Sequence, residues 1–105
     1  MPTAKGSRME KKLKKITMFY LEECPYCANA FKAIEQLKKE NAKYACVELE
    51  TIEEHKNEAL ADSYDYWAVP SLFFGKEKQY ECHFGAKYDE IYENVKRVYD
   101  KALKD

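Results

Sequence analysis

No stretch of the sequence stays apolar for long, neither sign of charge dominates, and only one Cys-x-x-Cys occurs; repeats, low-complexity tracts and internal linkers are also missing. Each absence removes a class of function. A membrane-spanning helix needs about 20 consecutive apolar residues, and a signal peptide needs a shorter run near its start. Neither is present, so no membrane association is expected and the cytoplasm is the expected location. Basic residues number 18 and acidic residues 19, a net charge of -1, which leaves no electrostatic footprint for nucleic acid or anionic lipid. Four cysteines without a secretory signal argue against a disulfide framework and for catalysis or metal binding. Zinc would need ligands beyond Cys24 and Cys27, yet Cys46, Cys82, His55 and His83 stand singly, and no metal site is assigned.

What is there centres on Cys24-Pro25-Tyr26-Cys27. Upstream, Ile16 to Leu21 is almost wholly apolar, β-branched or aromatic, which predicts a central strand buried on both faces. Downstream, Cys27, Ala30, Phe31, Ile34 and Leu37 recur at steps of three and four, the stripe of a core-facing helix running to about Glu40. Cys24 thus falls at the helix cap and Pro25 at the first helical position, where its missing N–H costs nothing. Free N–H groups and the positive end of the helix dipole face the Cys24 sulfur and favour its thiolate. Cys27 lies one turn on, within disulfide reach. The stretch predicts a redox switch.

At 105 residues, with 46% hydrophobic side chains, the chain can bury one core and is expected to form one domain over residues 16–105. Residues 1–15 form a tail; its Gly6-Ser7 pair ahead of Met9 has the look of a vector-derived junction, and the Lys-rich run from Glu10 to Lys15 is a solvated lead-in. After the first helix, Tyr44 to Leu49 is predicted as a second strand, parallel to the first through a right-handed crossover. Thr51-Ile52-Glu53-Glu54 has the pattern of a capping box, opening a helix to about Tyr66 with Leu60, Tyr64 and Trp67 inward. Ala68-Val69-Pro70 breaks that helix and leads to a strand, Ser71 to Phe74. Gly75 to Lys78 then turns into an antiparallel edge strand, Gln79 to Phe84, with Tyr80, Cys82 and Phe84 facing the core. Tyr88, Ile91, Tyr92, Val95, Val98, Tyr99 and Ala102 mark the last helix. A β-α-β-α-β-β-α order with Cys-x-x-Cys after the first strand predicts an α/β thioredoxin-like fold: a four-stranded mixed sheet, order 2-1-3-4, with helices on both faces.

On these residues the sequence resembles the glutaredoxins, whose dithiol members carry the same Cys-Pro-Tyr-Cys and a Thr-Val-Pro segment like Ala68-Val69-Pro70. The resemblance implies a cis bond before Pro70, main-chain hydrogen bonds from Val69 to glutathione, and support of the site by Pro25, Tyr26 and Pro70. It implies catalysis by Cys24 and Cys27, with glutathione as electron donor and disulfide-containing proteins as partners. The sequence departs from that family in three places. Leu21 stands where a lysine usually meets a glutathione carboxylate. Glu22 and Glu23 add negative charge beside the site. The family's Gly-Gly is reduced to Gly85, with Asp89 out of register. Tyr64 to Phe74 and Gly85 to Lys87 resemble thioredoxins more, although the thioredoxin Trp and buried acid are replaced by Glu23 and Met18.

Three alternatives stay open at this level. The dithiol is fed by a flavoprotein reductase, as in thioredoxins; the chain is a non-catalytic peptide-binding module; or it carries a metal or iron–sulfur cluster, against which Pro25 stiffens the loop. Cys46 and Cys82 are expected to pack in strands as inert side chains, and His55 and His83 to be solvated. Trp67, with Tyr26 and Val69, is a candidate substrate contact. No tightly bound cofactor is expected, and the protein is expected to be a monomer.

Overall fold

The structure, a computed structural model, describes residues 14–104. Gly6-Ser7 and most of the Lys-rich run lie outside the described residues. Strand β1 (Ile16–Tyr20) leads through the Cys-x-x-Cys turn into helix α1 (Pro25–Glu40). Strand β2 (Leu49–Glu53), a short helix α2 (Glu58–Asp62), strands β3 (Ser71–Phe74) and β4 (Glu77–Glu81), and helix α3 (Tyr88–Lys104) follow. The sheet order is β2-β1-β3-β4, with β1 parallel to β2 and antiparallel to β3, and β3 antiparallel to β4. The thioredoxin-like architecture expected from the sequence is therefore present.

Alternation along β1 and β3 builds a core on each face of the sheet, because successive strand side chains point opposite ways. Ile16, Met18, Leu72 and Phe74 face α1 and α3, where Ala30, Ile34, Leu37, Val95 and Tyr99 meet them. Phe19 and Phe73 point to the other face, against Ile52, Ala61, Tyr64 and Tyr66. Phe19 is fully buried and ringed by aromatics: Tyr64 at 4.7 Å, Tyr66 at 5.0 Å and Phe73 at 5.9 Å between centroids. Truncating a side chain so placed costs about 3–5 kcal/mol.

The middle of the chain departs from the sequence reading. Tyr44 to Glu48 forms no strand, and of the expected range only Leu49 belongs to β2. Residues Ala42–Cys46 form a 3-10 turn, capped where Asn41 Oδ1 accepts the Lys43 N–H at 3.0 Å. Tyr44 buries its ring against Tyr99 and donates its hydroxyl to Asp100 at 2.6 Å, so its β-forming character serves packing instead of pairing. The strand comes later: Thr51, Ile52 and Glu53 pair with Met18, Phe19 and Tyr20, which dissolves the expected capping box. Glu53 instead caps a 3-10 turn over Glu54–Lys56, its Oε1 accepting the Lys56 N–H at 3.0 Å.

The long second helix shrinks to α2, and only Tyr64 of its three expected inward residues packs into the core. Leu60 is 42% exposed and Trp67 94% exposed. The turn after β3 is tighter than expected, since Phe74 already pairs with Glu77 and Gly75 takes a positive φ of 57°. β4 ends at Glu81, and Gly85 at φ 91° lies in the irregular connection to α3, so Phe84 leaves the core face and is 93% exposed. Tyr80 and Cys82 are buried as expected.

Candidate active site

Three segments distant in sequence meet at the N-terminus of α1. The first is the motif itself. Cys24 is the N-cap of α1, in extended conformation at φ -91° and ψ 118°, with Pro25 at the start of the helix. Its sulfur accepts the Cys27 N–H at 3.4 Å and is half-buried. A donor from the first helical turn thus rests where negative charge would develop on an attacking sulfur. Cys27 is 1% exposed. Burial pushes its thiol up, and the neighbouring Cys24 side chain adds to that against a smaller opposing pull from the Leu21 backbone. One accessible sulfur above one buried, protonated thiol is the asymmetry that a two-step exchange requires.

The second segment is Trp67 to Ser71. The Val69–Pro70 bond is cis, as the resemblance implied. The Cys24 thiol points to the Val69 carbonyl at 3.9 Å, a long sulfur contact. Glu81 fixes this loop: its Oε2 accepts the N–H groups of both Trp67 and Ala68 at 2.6 Å. Burial raises the Glu81 carboxyl, but Lys78 at 2.7 Å and the two amides outweigh it and leave the group below its ordinary value. Ser71 Oγ donates to the Ala68 carbonyl at 2.5 Å, and the Cys82 N–H donates to the Pro70 carbonyl at 3.0 Å.

The third segment is the β4–α3 connection. Tyr26 reaches it, its hydroxyl accepting the Gly85 N–H at 2.8 Å and its ring lying edge-on to Phe84 at 6.3 Å. His83 is exposed and hydrogen-bonded through Nε2 to Glu90, a contact that raises the imidazole above its ordinary value.

Glu53 and Glu81 are the residues that sequence reasoning missed. Glu53, 8% exposed at the end of β2, accepts the Glu22 N–H at 3.4 Å as well as that of Lys56, and so ties the turn before Cys24 to the sheet. In the sequence, Glu53 looked like part of a capping box and Glu81 like an outward residue of an edge strand. Only the structure shows that both sit at strand ends, where backbone N–H groups go unpaired, so the sequence carried no signal for either role.

The other singled-out residues scatter. Leu21, Glu22, Glu23, Cys24, Glu53 and His55 line one cavity of about 430 Å³, with Glu22 paired to Lys56 at 3.1 Å. Trp67 projects into solvent two residues before Val69, whereas Tyr66 stacks on Phe19 and donates its hydroxyl to Glu54 at 2.7 Å. Cys82 is buried, which raises its thiol, but Cys46 is exposed at the end of the 3-10 turn and not packed in a strand. Among the described residues no group of three or more His, Cys, Asp or Glu side chains is placed to hold a metal ion.

A mixed sheet of this order, with a dithiol capping the first helix beside a cis-proline, defines a thioredoxin-fold protein of the thiol–disulfide oxidoreductase kind. The glutaredoxin family model matches residues 16–78, and the chain belongs to the glutaredoxin family. Solved structures agree on the fold. A malarial protein is similar at 18% identity and a TM-score of 0.54, over 83% of this chain and 97% of its own. Thioredoxin 1 from Thermosipho africanus matches at 16% identity and TM-score 0.53, over 82% of this chain and 94% of its own. A point-mutant thioredoxin from Halobacterium salinarum matches at 22% identity and TM-score 0.53, over 82% of this chain and 74% of its own. No curated protein sequence matches the chain.

Proposed function

We propose that this protein reduces protein disulfides and glutathione mixed disulfides through a Cys24–Cys27 dithiol cycle, with glutathione as electron donor. The Cys24 thiolate attacks a substrate sulfur, forming an intermolecular disulfide and breaking the substrate's own; the leaving thiolate takes up a proton. Cys27 then loses its proton and attacks the Cys24 sulfur. The second substrate thiol departs, and the 24–27 disulfide remains. The substrate has gained two electrons and the dithiol has lost them; two glutathione thiols restore it and leave as glutathione disulfide. No tightly bound cofactor enters this cycle. The reading includes a monomer working in the cytoplasm, whose glutathione poise is reducing enough to keep such a dithiol charged.

The observation that carries this reading is the division between the two sulfurs: Cys24 half-buried at a helix N-terminus, Cys27 almost wholly buried beneath it. Glutathione as donor rests on the family match and on the Val69 main chain beside Cys24. Leu21, Glu22 and Glu23 favour a second reading, a thioredoxin-like reductase fed by a flavoprotein, because they offer no cation to an anionic tripeptide. A turnover assay with one disulfide substrate decides between them. Glutathione with its reductase is predicted to sustain faster turnover than thioredoxin reductase; the reverse order would put the second reading first.

A further inference from the structure

Two cavities of about 430 Å³ adjoin at His55, on the side of Cys24 toward β2. One has Cys24 itself in its wall; the other runs from Glu54 to Trp67. Together they are lined by six carboxylates: Glu22, Glu23, Glu53, Glu54, Glu58 and Asp62. No lysine or arginine is among the lining residues. Lys56 reaches in only to pair with Glu22, at 3.1 Å. The nearby Lys76 is turned onto the Tyr64 ring at 4.4 Å and bonded to the Ser63 carbonyl. Glu53 and Glu54 are engaged by backbone N–H groups and by Tyr66. The side chains of Glu23, Glu58 and Asp62 make no ion pair or hydrogen bond among the described residues.

Like charges gathered this way repel one another, and a cationic partner would relieve that repulsion. The second, independent feature is Trp67. Its ring is 94% exposed, yet its backbone is clamped by Glu81 in the loop whose Val69 carbonyl lies 3.9 Å from the Cys24 sulfur. A bare indole carried on a clamped backbone beside carboxylates suits a guanidinium or ammonium group, which gains from the ring face and the anions together.

We propose, resting on the oxidoreductase reading above, that this surface selects protein disulfides whose cysteine is flanked by lysine or arginine. The basic side chains lie over Glu23, Glu58 and Asp62 and against Trp67, while the substrate sulfur meets Cys24. The chemistry is unchanged: the thiolate exchange described above, with selection added at the encounter.

The test is single-turnover reaction of the pre-reduced full chain with three peptides of equal length, each carrying one cysteine disulfide-bonded to 2-mercaptoethanol. Their flanks are basic, neutral or acidic. The basic peptide is expected to react about tenfold faster than the neutral one at low salt, the lower end of electrostatic steering, and the acidic peptide more slowly than either. High salt should compress the series. A Glu58→Gln/Asp62→Asn double variant should shrink the basic-to-acidic rate ratio, and Trp67→Ala should lower the rate for the basic peptide. Equal rates for the three peptides, or a preference untouched by salt and by these variants, would overturn the inference while leaving the oxidoreductase reading standing. No reaction with any peptide, the neutral one included, would overturn both.

Discussion

The cysteines divide by exposure, and that division makes thiol chemistry the sharpest test at the scale of single residues. Cys24 and Cys46 are open to reagent, Cys27 and Cys82 are not. Brief alkylation of the native reduced protein should therefore label residues 24 and 46, and denaturation should expose the other two; peptide mass spectrometry reads the pattern. Rapid labelling of Cys27 in the native state would contradict its burial. Cys82→Ala should cost on the order of 1 kcal/mol and Cys46→Ala less, measured by denaturant melts, since only the first leaves a hole. His83 offers a pH test. Its imidazole is raised above the ordinary 6.5 by Glu90, so the pair stabilises the fold fully below 6.5, and that contribution is lost as pH rises through the folded value. An NMR titration should find His83 above 6.5, and Glu90→Gln should bring it down.

Elements were legible in the sequence where their signals were local. β1, the cap at Cys24, α1 and α3 follow from apolar spacing and a proline at the first helical position, and each lies where that pattern places it. The stretch from 44 to 66 was not legible, because a distant partner decides it. Tyr44 is drawn to Tyr99 and Asp100, and Thr51 to Glu53 pair with β1, neither of which local propensity announces. The same holds for the supports of the site. Glu53 and Glu81 hold the two loops that converge on Cys24, and neither lies near it in sequence. Removing the Glu81 charge should loosen the Trp67–Pro70 loop: Glu81→Gln is expected to cost about 1.5–3 kcal/mol of stability, the range for hydrogen bonds to a charged group. Because the Glu81 carboxyl is held below its ordinary value, its contribution is present above that value and lost as pH falls through the lowered one. Denaturant melts across acidic pH should show this loss in the parent protein and a shallower one in the variant.

At the scale of the whole molecule, charge is distributed unevenly around the Cys24 sulfur. The overall charge is near neutral, yet the cavity beside Cys24 holds Leu21 and three glutamates, and the sequence already showed this at Leu21, Glu22 and Glu23. Leu21→Lys should improve the apparent affinity for glutathione several-fold, more at low salt than at high, since a charge pair at an exposed site is worth about 0.2–1 kcal/mol and is screened. Steady-state turnover at two ionic strengths measures it. A salt-independent gain, or none, would mean that position 21 does not face the glutathione carboxylate.

In the proposed cycle Cys24 attacks and Cys27 resolves. Its most direct test is mass spectrometry of the Cys27→Ser variant after reaction with a disulfide substrate, beside Cys24→Ser treated alike. One stable mixed disulfide, on Cys24, is expected in the first variant and none in the second, with all turnover lost only when Cys24 is replaced. An adduct on Cys46 or Cys82, or substantial activity without Cys24, would contradict it.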